Sequence, residues 1–275
     1  MSSSGALGRF ISLPPAFTIW MRCVIAGIVL AVLAISSGKK IWLGWGRDFK
    51  IVFAAGIFMG IHWISYFYAL KFSTVAIGML SLFTYPMITA LLEPLILKVK
   101  LEKRHIPLAM IALFGVFQLV PEFSFENEYT IGILIGVGSA TAYAVRNILL
   151  KKNIAGISGT VMMLYQLVII IVFFWPFFLA EDVKYSGITT QQNLIGLLAL
   201  GLFTTAAGHT LFIKSFKFFS ITTVSILSNL TPLFGIVLGF LILSEVPDGN
   251  IILGGALILS TTIVEGVVSI RSKGV

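Results

Sequence analysis

Residues 69–86 read ALKFSTVAIGMLSLFTYP, and residues 215–232 read SFKFFSITTVSILSNLTP. Both stretches lie in long apolar segments, and in each a lysine (Lys71 or Lys217) precedes a proline (Pro86 or Pro232) by fifteen residues. A duplicated hydrophobic unit is typical of transporters built from repeats, whose binding site lies near the bilayer midplane where the repeats meet. The repetition therefore predicts that the protein carries a solute rather than converting one chemically.

The composition indicates a polytopic membrane protein. Of the 275 residues, 58% are hydrophobic and only 11% are charged, and the mean hydropathy is +1.03. A water-soluble domain cannot bury so much apolar surface. The formal net charge of +8 does not indicate a nucleic-acid partner, because the lysines and arginines lie in short loops between apolar segments. The single cysteine, Cys23, excludes an internal disulfide and a cysteine-based metal site, and we expect neither a metal nor a cofactor.

A spanning helix needs about 20 mostly apolar residues, because the hydrocarbon core is about 30 Å thick. Nine segments meet this requirement, and the fourth is short. They are residues 16–36, 51–70, 74–97, 106–121, 130–150, 158–180, 193–213, 220–243 and 250–270.

The loops between these segments alternate in charge. Lysine and arginine cluster after the first, third, fifth and seventh segments and at the C-terminus, whereas acidic residues dominate after the fourth, sixth and eighth; Lys71 is the one exception. Because cytoplasmic loops carry the excess of lysine and arginine, we expect a multi-pass protein of the cell membrane, as in a bacterial inner membrane, with a cytoplasmic C-terminus. This topology places Lys71 and Lys217 on opposite sides, so the two copies are predicted to be inverted.

The first repeat is predicted at residues 1–121 and the second at 130–271. Each should contribute five helices, but the first shows only four complete ones. If Pro15 corresponds to Gly159, the counterpart of the helix at 130–150 starts before Met1, and residues 1–13 form only its end. We expect either a start site further upstream or a nine-helix variant. A signal peptide fits poorly, because Gly8, Arg9 and two prolines interrupt any apolar core.

Several features, in this order, resemble the drug/metabolite transporter superfamily and its EamA-like members. They are Pro14, Pro15 and Arg22, then YALKFS at 68–73, then Thr84, Tyr85 and Pro86, then Thr231 and Pro232, and finally Glu245. The resemblance implies an all-α fold of two inverted five-helix repeats around a central cavity. It further implies carriage of amino acids or other small metabolites, most often outward. The family's usual glutamate thirteen residues after the helical proline is present at Glu245, but Val99 stands at that position in the first repeat.

Aromatic and polar residues within the apolar segments are the candidates for solute binding. His62 and Tyr66 are one helical turn apart, so they share a face. Aromatic walls with a few hydrogen-bonding groups suit a cavity for small organic solutes. The candidate substrate-binding residues are Arg22, His62, Trp63, Tyr66, Tyr85, Tyr143, Gln166 and Asn229.

Ionisable residues inside a membrane are costly, so each needs a partner, a water-filled cavity or a function. Arg22 could hold a substrate carboxylate, pair with Glu93 or support the structure. Glu93 and His209 are the candidates for proton coupling, with an interfacial carboxylate and a hydrogen-bonded neutral histidine as the structural alternatives. Arg146 and Glu265 are expected to reach the interface or to form a mutual salt bridge.

Pro86 and Pro232 are equivalent and predicted to lie mid-helix, where proline removes a hydrogen bond and kinks the chain. We expect these helices to be the moving gates, unless the kinks are static. A secondary transporter that exports small metabolites, chiefly amino acids or related compounds, is the leading hypothesis, with a solute, the bilayer and protons as candidate partners. We expect a monomer or a weak homodimer. The alternatives are a non-transporting regulatory or assembly subunit and an integral membrane lipid enzyme, although the acidic loops lack the clustered companions that such an enzyme needs.

Overall fold

The predicted all-α architecture of two inverted repeats is confirmed. The computed structural model describes residues 2–119, 124–151, 157–179, 185–215, 228 and 230–272, and these contain helices but no strands. The first half contains α1 (Ser3–Phe10), α2 (Pro15–Ser36), α3 (Arg47–Phe72), α4 (Val75–Leu82), α5 (Tyr85–Leu97) and α6 (His105–Gln118). The second half contains α7 (Glu128–Lys151), α8 (Gly159–Phe173), α9 (Trp175–Leu179), α10 (Tyr185–Ile188), α11 (Gln191–Leu198), a π-helix (Ala199–His209), α12 (Thr210–Ser215), α13 (Leu230–Leu243) and α14 (Gly249–Ser272).

The apolar segments of the sequence become the long helices of the bundle. Within the described residues, six helical stretches are long and apolar enough to cross a membrane, with α4–α5 and α11–π-helix–α12 each counted as one. Three of the predicted segments are shorter apolar helices, namely α6, α8 and α13. The halves interlock, because α2 packs on α8 and on the π-helix, α3 packs on α7 and α8, and α6 packs on α14.

Residues 3–10, predicted as the end of a first helix, form α1, which packs against α13, α3 and α4. Arg9 on α1 donates to the backbone carbonyls of Leu70 and Ser73. Its Nε lies 2.9 Å from Oε1 of Glu245, whose Oε2 accepts a 2.7 Å hydrogen bond from the backbone N–H of Val75. We call this ion pair between the two halves the Arg9–Glu245 clamp, and the end of the bundle that carries it the Arg9 end.

The prediction that Pro86 lies mid-helix is wrong. The segment at 74–97 divides into α4 and α5, and Pro86 occupies the first turn of α5, where a missing N–H leaves no hydrogen bond unmade. The Thr84 hydroxyl donates to the carbonyl of Ser81 at 2.7 Å across the break. Pro232 lies in α13. The helix break thus comes just before Pro86.

Glycines set the contact between α3 and α8. A Cβ atom at Gly60 would lie 2.5 Å from the ring of Phe174, and one at Gly56 would lie 2.7 Å from the side chain of Ile169. Both approaches are closer than carbon atoms tolerate. The Gly56–Gly60 pair therefore serves packing within the chain, since small residues let helices approach closely.

Candidate functional site

A cavity of about 100 Å³ lies between the two halves of the chain. Its walls come from α1, α3, α4, α5, α7, the π-helix, α12 and the region around α13. The lining residues are Ser4, His62, Trp63, Tyr66, Met79, Leu82, Phe83, Tyr85, Tyr143, His209, Phe212, Ser228 and Thr231. The structure thus brings six of the predicted site residues to one cavity: His62, Trp63, Tyr66, Tyr85, Tyr143 and His209.

Ring contacts hold the aromatic part of this wall together. The His62 ring lies 4.5 Å from that of Tyr143, and the Tyr143 ring lies 4.9 Å from that of Tyr85, centroid to centroid. Trp63 packs edge-on against His209 at 5.2 Å. Edge-to-face and tilted contacts at these distances are favourable, so the wall contains two groups of ring contacts, and each group joins the two halves.

His62 is anchored from behind by Ser139 of α7. Its Nδ1 lies 2.8 Å from the Ser139 hydroxyl, which in turn donates to the His62 carbonyl at 2.8 Å. A hydroxyl has one proton to donate. Both contacts are satisfied when Nδ1 carries the imidazole proton, which leaves Nε2 of His62 as an acceptor.

Arg22 is fully buried next to the aromatic wall of the cavity. Its Nε donates to Thr205 Oγ1 at 2.9 Å, and Nη2 lies 3.5 Å from Thr204 Oγ1. Its Nη1 reaches Ser4 Oγ, which lines the cavity, at 3.4 Å. The guanidinium carbon also lies 4.4 Å from the centroid of the Trp63 ring, a cation–π distance. Hydroxyls and aromatic rings therefore surround this cation.

The predicted pairing of Arg22 with Glu93 does not occur. Glu93 is half-buried on α5 and does not line the cavity. Among the described residues, no aspartate or glutamate is fully buried. The positive charge of Arg22 is thus not balanced by a carboxylate of the described chain.

The π-helix explains how Arg22 obtains its partners. The Thr204 and Thr205 hydroxyls donate to the same carbonyl, that of Leu200, at 2.7 and 2.8 Å. Their oxygens remain free to accept from Arg22. Sequence reasoning missed both threonines, although two adjacent hydroxyl residues within an apolar segment were a usable signal. Short π-helical turns are frequent at functional sites.

Arg146 of α7 is a second buried cation, 3% exposed. Its Nε donates to Gln166 Oε1 and its Nη1 to Asn147 Oδ1, both at 2.9 Å. The predicted salt bridge with Glu265 is wrong, because Glu265 lies 3.2 Å from Arg104 instead. The short distance between Arg104 and Glu265 follows from the packing of α6 on α14.

The other predicted site residues lie elsewhere. Gln166 is fully buried between α7 and α8, where it accepts from Arg146 and donates to the Met162 carbonyl at 3.1 Å, and it does not line the cavity. Asn229 lies outside the described residues. Their roles in solute binding stay predictions.

Two inverted membrane-embedded repeats, with an aromatic cavity where they meet, are typical of membrane transporters. The model of the EamA-like transporter family matches residues 1–120 and 130–264, so the chain belongs to the EamA-like transporter family.

Curated relatives and a solved structure agree with this membership. The uncharacterized transporter YxxF of Bacillus subtilis is 25% identical over 90% of this chain and 79% of its own length. The pseudopaline exporter CntI of Pseudomonas aeruginosa is 22% identical over 90% of this chain and 84% of its own. One crystal structure superposes with a TM-score of 0.69 at 17% identity, covering 95% of this chain and 91% of the other, which supports the fold. The chain is a multi-pass membrane transporter.

Proposed function

We propose that this transporter exports small metabolites, chiefly amino acids or related compounds, by alternating access. The observation that carries the proposal is the cavity between the halves, walled by aromatic rings and backed by Arg22, whose charge no described carboxylate balances. Similarity to a protein named as an exporter supports the outward direction. The loop charges favour a cell membrane and a cytoplasmic C-terminus.

An amino acid offers the two groups that this site can receive. Its carboxylate suits Arg22, because charge-assisted hydrogen bonds to a guanidinium are strong and directional. Its ammonium suits the faces of Trp63, Tyr66 and Tyr143, which attract cations. Ser4 connects the two regions, since it lines the cavity and accepts from Arg22.

The present conformation is too contracted for a large solute. Ligand pockets usually measure about 300–1,000 Å³, whereas this cavity measures about 100 Å³. The Arg9–Glu245 clamp and the bond network of Asn193 join elements at one end of the bundle. Asn193 accepts from the Ser12 N–H at 2.9 Å and donates to the Gly187 carbonyl at 2.7 Å. A rearrangement of the two halves would widen the cavity and open one end at a time.

For energy coupling, His209 is a better candidate than Glu93, because His209 lines the cavity and Glu93 does not. Proton antiport and facilitated diffusion are both compatible with this arrangement. A pH gradient applied across proteoliposomes distinguishes them, because only antiport accumulates solute against its own gradient.

Counterflow of a labelled amino-acid and metabolite panel into proteoliposomes tests the proposal. We expect at least one carboxylate-bearing solute to exchange, and Arg22→Gln to reduce its kcat/KM by about 10- to 100-fold through loss of a charged hydrogen bond. Arg104→Gln is the matched control, since it removes an arginine that lies outside the cavity. No exchange of any solute by folded protein would overturn the proposal and favour a non-transporting subunit.

A further inference from the structure

We infer that the transported solute carries a second anionic group and that Arg146 binds it. This inference rests on the proposed function, in which Arg22 receives the first carboxylate. The substrate class is the dicarboxylates and acidic amino acids. Neither family membership nor the named relatives assign a ligand to Arg146.

The first step is the unmet hydrogen-bonding capacity of Arg146. Gln166 and Asn147 satisfy Nε and Nη1, but Nη2 is buried and has no hydrogen-bond partner among the described residues. A buried, unpaired donor on a charged group is among the most costly features a protein can keep. A ligand that accepts a hydrogen bond from Nη2 would explain why the chain keeps this unpaired donor.

The second step is the position of Arg146 relative to the cavity. It lies one helical turn after Tyr143, and its guanidinium carbon is 5.8 Å from the centroid of the Tyr143 ring, which lines the cavity. Arg22 has the same relation to Trp63 at 4.4 Å. Each cation thus lies beside an aromatic ring of the cavity wall. A widened cavity with a displaced ring gives a bound anion access to either guanidinium.

The third step is the comparison of the two repeats. Gln166 occupies in α8 the position that Arg22 occupies in α2, 144 residues earlier, and Gln166 Oε1 accepts from Arg146. Arg22 completes its hydrogen bonds with two threonines of the π-helix. The counterpart stretch of α3, residues 58–61, reads FMGI and offers no polar side chain. The second repeat supplies hydroxyls to Arg22, but the equivalent stretch of the first repeat supplies none to Arg146, so an external acceptor is the missing partner.

The fourth step is charge balance. Two buried guanidiniums approach one cavity, and no described aspartate or glutamate is fully buried. A solute with two carboxylates neutralises both, whereas a neutral amino acid balances only one. Carboxylates also fit guanidinium donors geometrically.

Pairs of acids and amides of equal size test the inference directly. The probes are labelled glutamate and glutamine, aspartate and asparagine, and succinate and succinamate, each measured in proteoliposomes. We expect the wild type to prefer the acid in kcat/KM by about 10-fold or more, the effect of one charged hydrogen bond. Arg146→Gln should abolish that preference by lowering acid transport alone, and Arg146→Lys should retain part of it. Arg104→Gln is the matched control and should leave the preference intact.

The outcomes separate this inference from the proposed function. If Arg146→Gln lowers acid and amide transport equally while size-exclusion profiles stay unchanged, Arg146 is structural and the inference is wrong. If monocarboxylates exchange but no dicarboxylate does, the inference fails and the transporter proposal stands. If no solute of any class exchanges, the proposed function fails first and the inference falls with it.

Discussion

Neutralising Glu245 should open the Arg9 end of the bundle. In the Arg9–Glu245 clamp, Oε1 of Glu245 lies 2.9 Å from Arg9 and Oε2 accepts from the Val75 N–H at 2.7 Å. The two side chains are 31% and 15% exposed, so solvent screens the pair only in part. Glu245→Gln keeps an acceptor for Val75 but removes the charge. The substitution therefore isolates the electrostatic part of the clamp.

The magnitude follows from two contributions. A partly exposed ion pair contributes about 0.2–1 kcal/mol. A backbone N–H bonded to a charged acceptor contributes roughly 1 kcal/mol more than one bonded to a neutral acceptor. Their sum, about 1–2 kcal/mol, changes the population of an opened Arg9 end by about 5- to 30-fold.

Cysteine accessibility measures this change. The only cysteine, Cys23, is buried, so a cysteine introduced by Met79→Cys in the cavity wall is the reactive thiol. A membrane-impermeant maleimide added from the Arg9 side should modify it about 5- to 30-fold faster in the Glu245→Gln background. Arg104→Gln breaks an ion pair of α6 with α14 instead, and should leave the rate within about twofold. Equal rates in the parent and in Glu245→Gln would refute the reasoning.

Exchanging the two charges should not rescue the clamp. Arg9 also donates to the carbonyls of Leu70 and Ser73, whereas Glu245 accepts from the N–H of Val75. In the double variant Arg9→Glu, Glu245→Arg, a carboxylate would face carbonyl oxygens and a guanidinium would face an N–H. The labelling rate should stay as high as in Glu245→Gln, because the backbone fixes the polarity of the pair.

Three further predictions concern packing and the cavity wall. Gly60→Ala should lower stability by about 1–3 kcal/mol through overpacking against Phe174, seen as an earlier thermal transition in detergent, whereas Gly138→Ala, with open space around it, should not. Asn193→Ala should also lower the temperature of the thermal transition, because it leaves buried polar groups unpaired at a cost of about 1–3 kcal/mol. An unchanged transition temperature would contradict a stabilising role for the hydrogen bonds of Asn193. Trp63→Ala should raise the solute KM by about 5- to 30-fold, and Trp63→Phe by less, through loss of cation–π attraction; equal effects would contradict the ring's role.

The sequence specified most of the architecture because hydropathy and loop charge report directly on membrane spans. Each of the nine predicted apolar segments corresponds to helix in the described residues, and the inverted repeat followed from Lys71 and Lys217. The aromatic residues of one helix face, His62 and Tyr66, were likewise predictable from spacing, and both line the cavity. Helical periodicity identifies which residues share a face, and this was sufficient to predict that His62 and Tyr66 lie together in the cavity wall.

The partners of the buried cations were not predictable. Arg22 and Glu93 belong to the same half, and an ion pair between them was one of the alternatives that the sequence offered, yet Arg22 bonds to Thr204 and Thr205, more than 180 residues away. Arg146 and Glu265 looked equally well matched, and Glu265 pairs with Arg104. Helix rotation and depth decide such pairings, and they depend on the packing between the halves. Hydropathy carries no information about either.

The π-helix also has a consequence for the history of the duplication. The start of α11 follows the start of α3 by 144 residues, but Lys217 follows Lys71 by 146, so the second copy holds two extra residues within this helix. Two residues inserted into an α-helix rotate everything beyond them by about 200°. A π turn takes up about one residue more than an α turn, so the 11-residue π-helix absorbs the surplus over its length. A length difference that would rotate one face of a helix away from its partners is thus taken up as wider winding, and the two halves differ in length as well as in sequence.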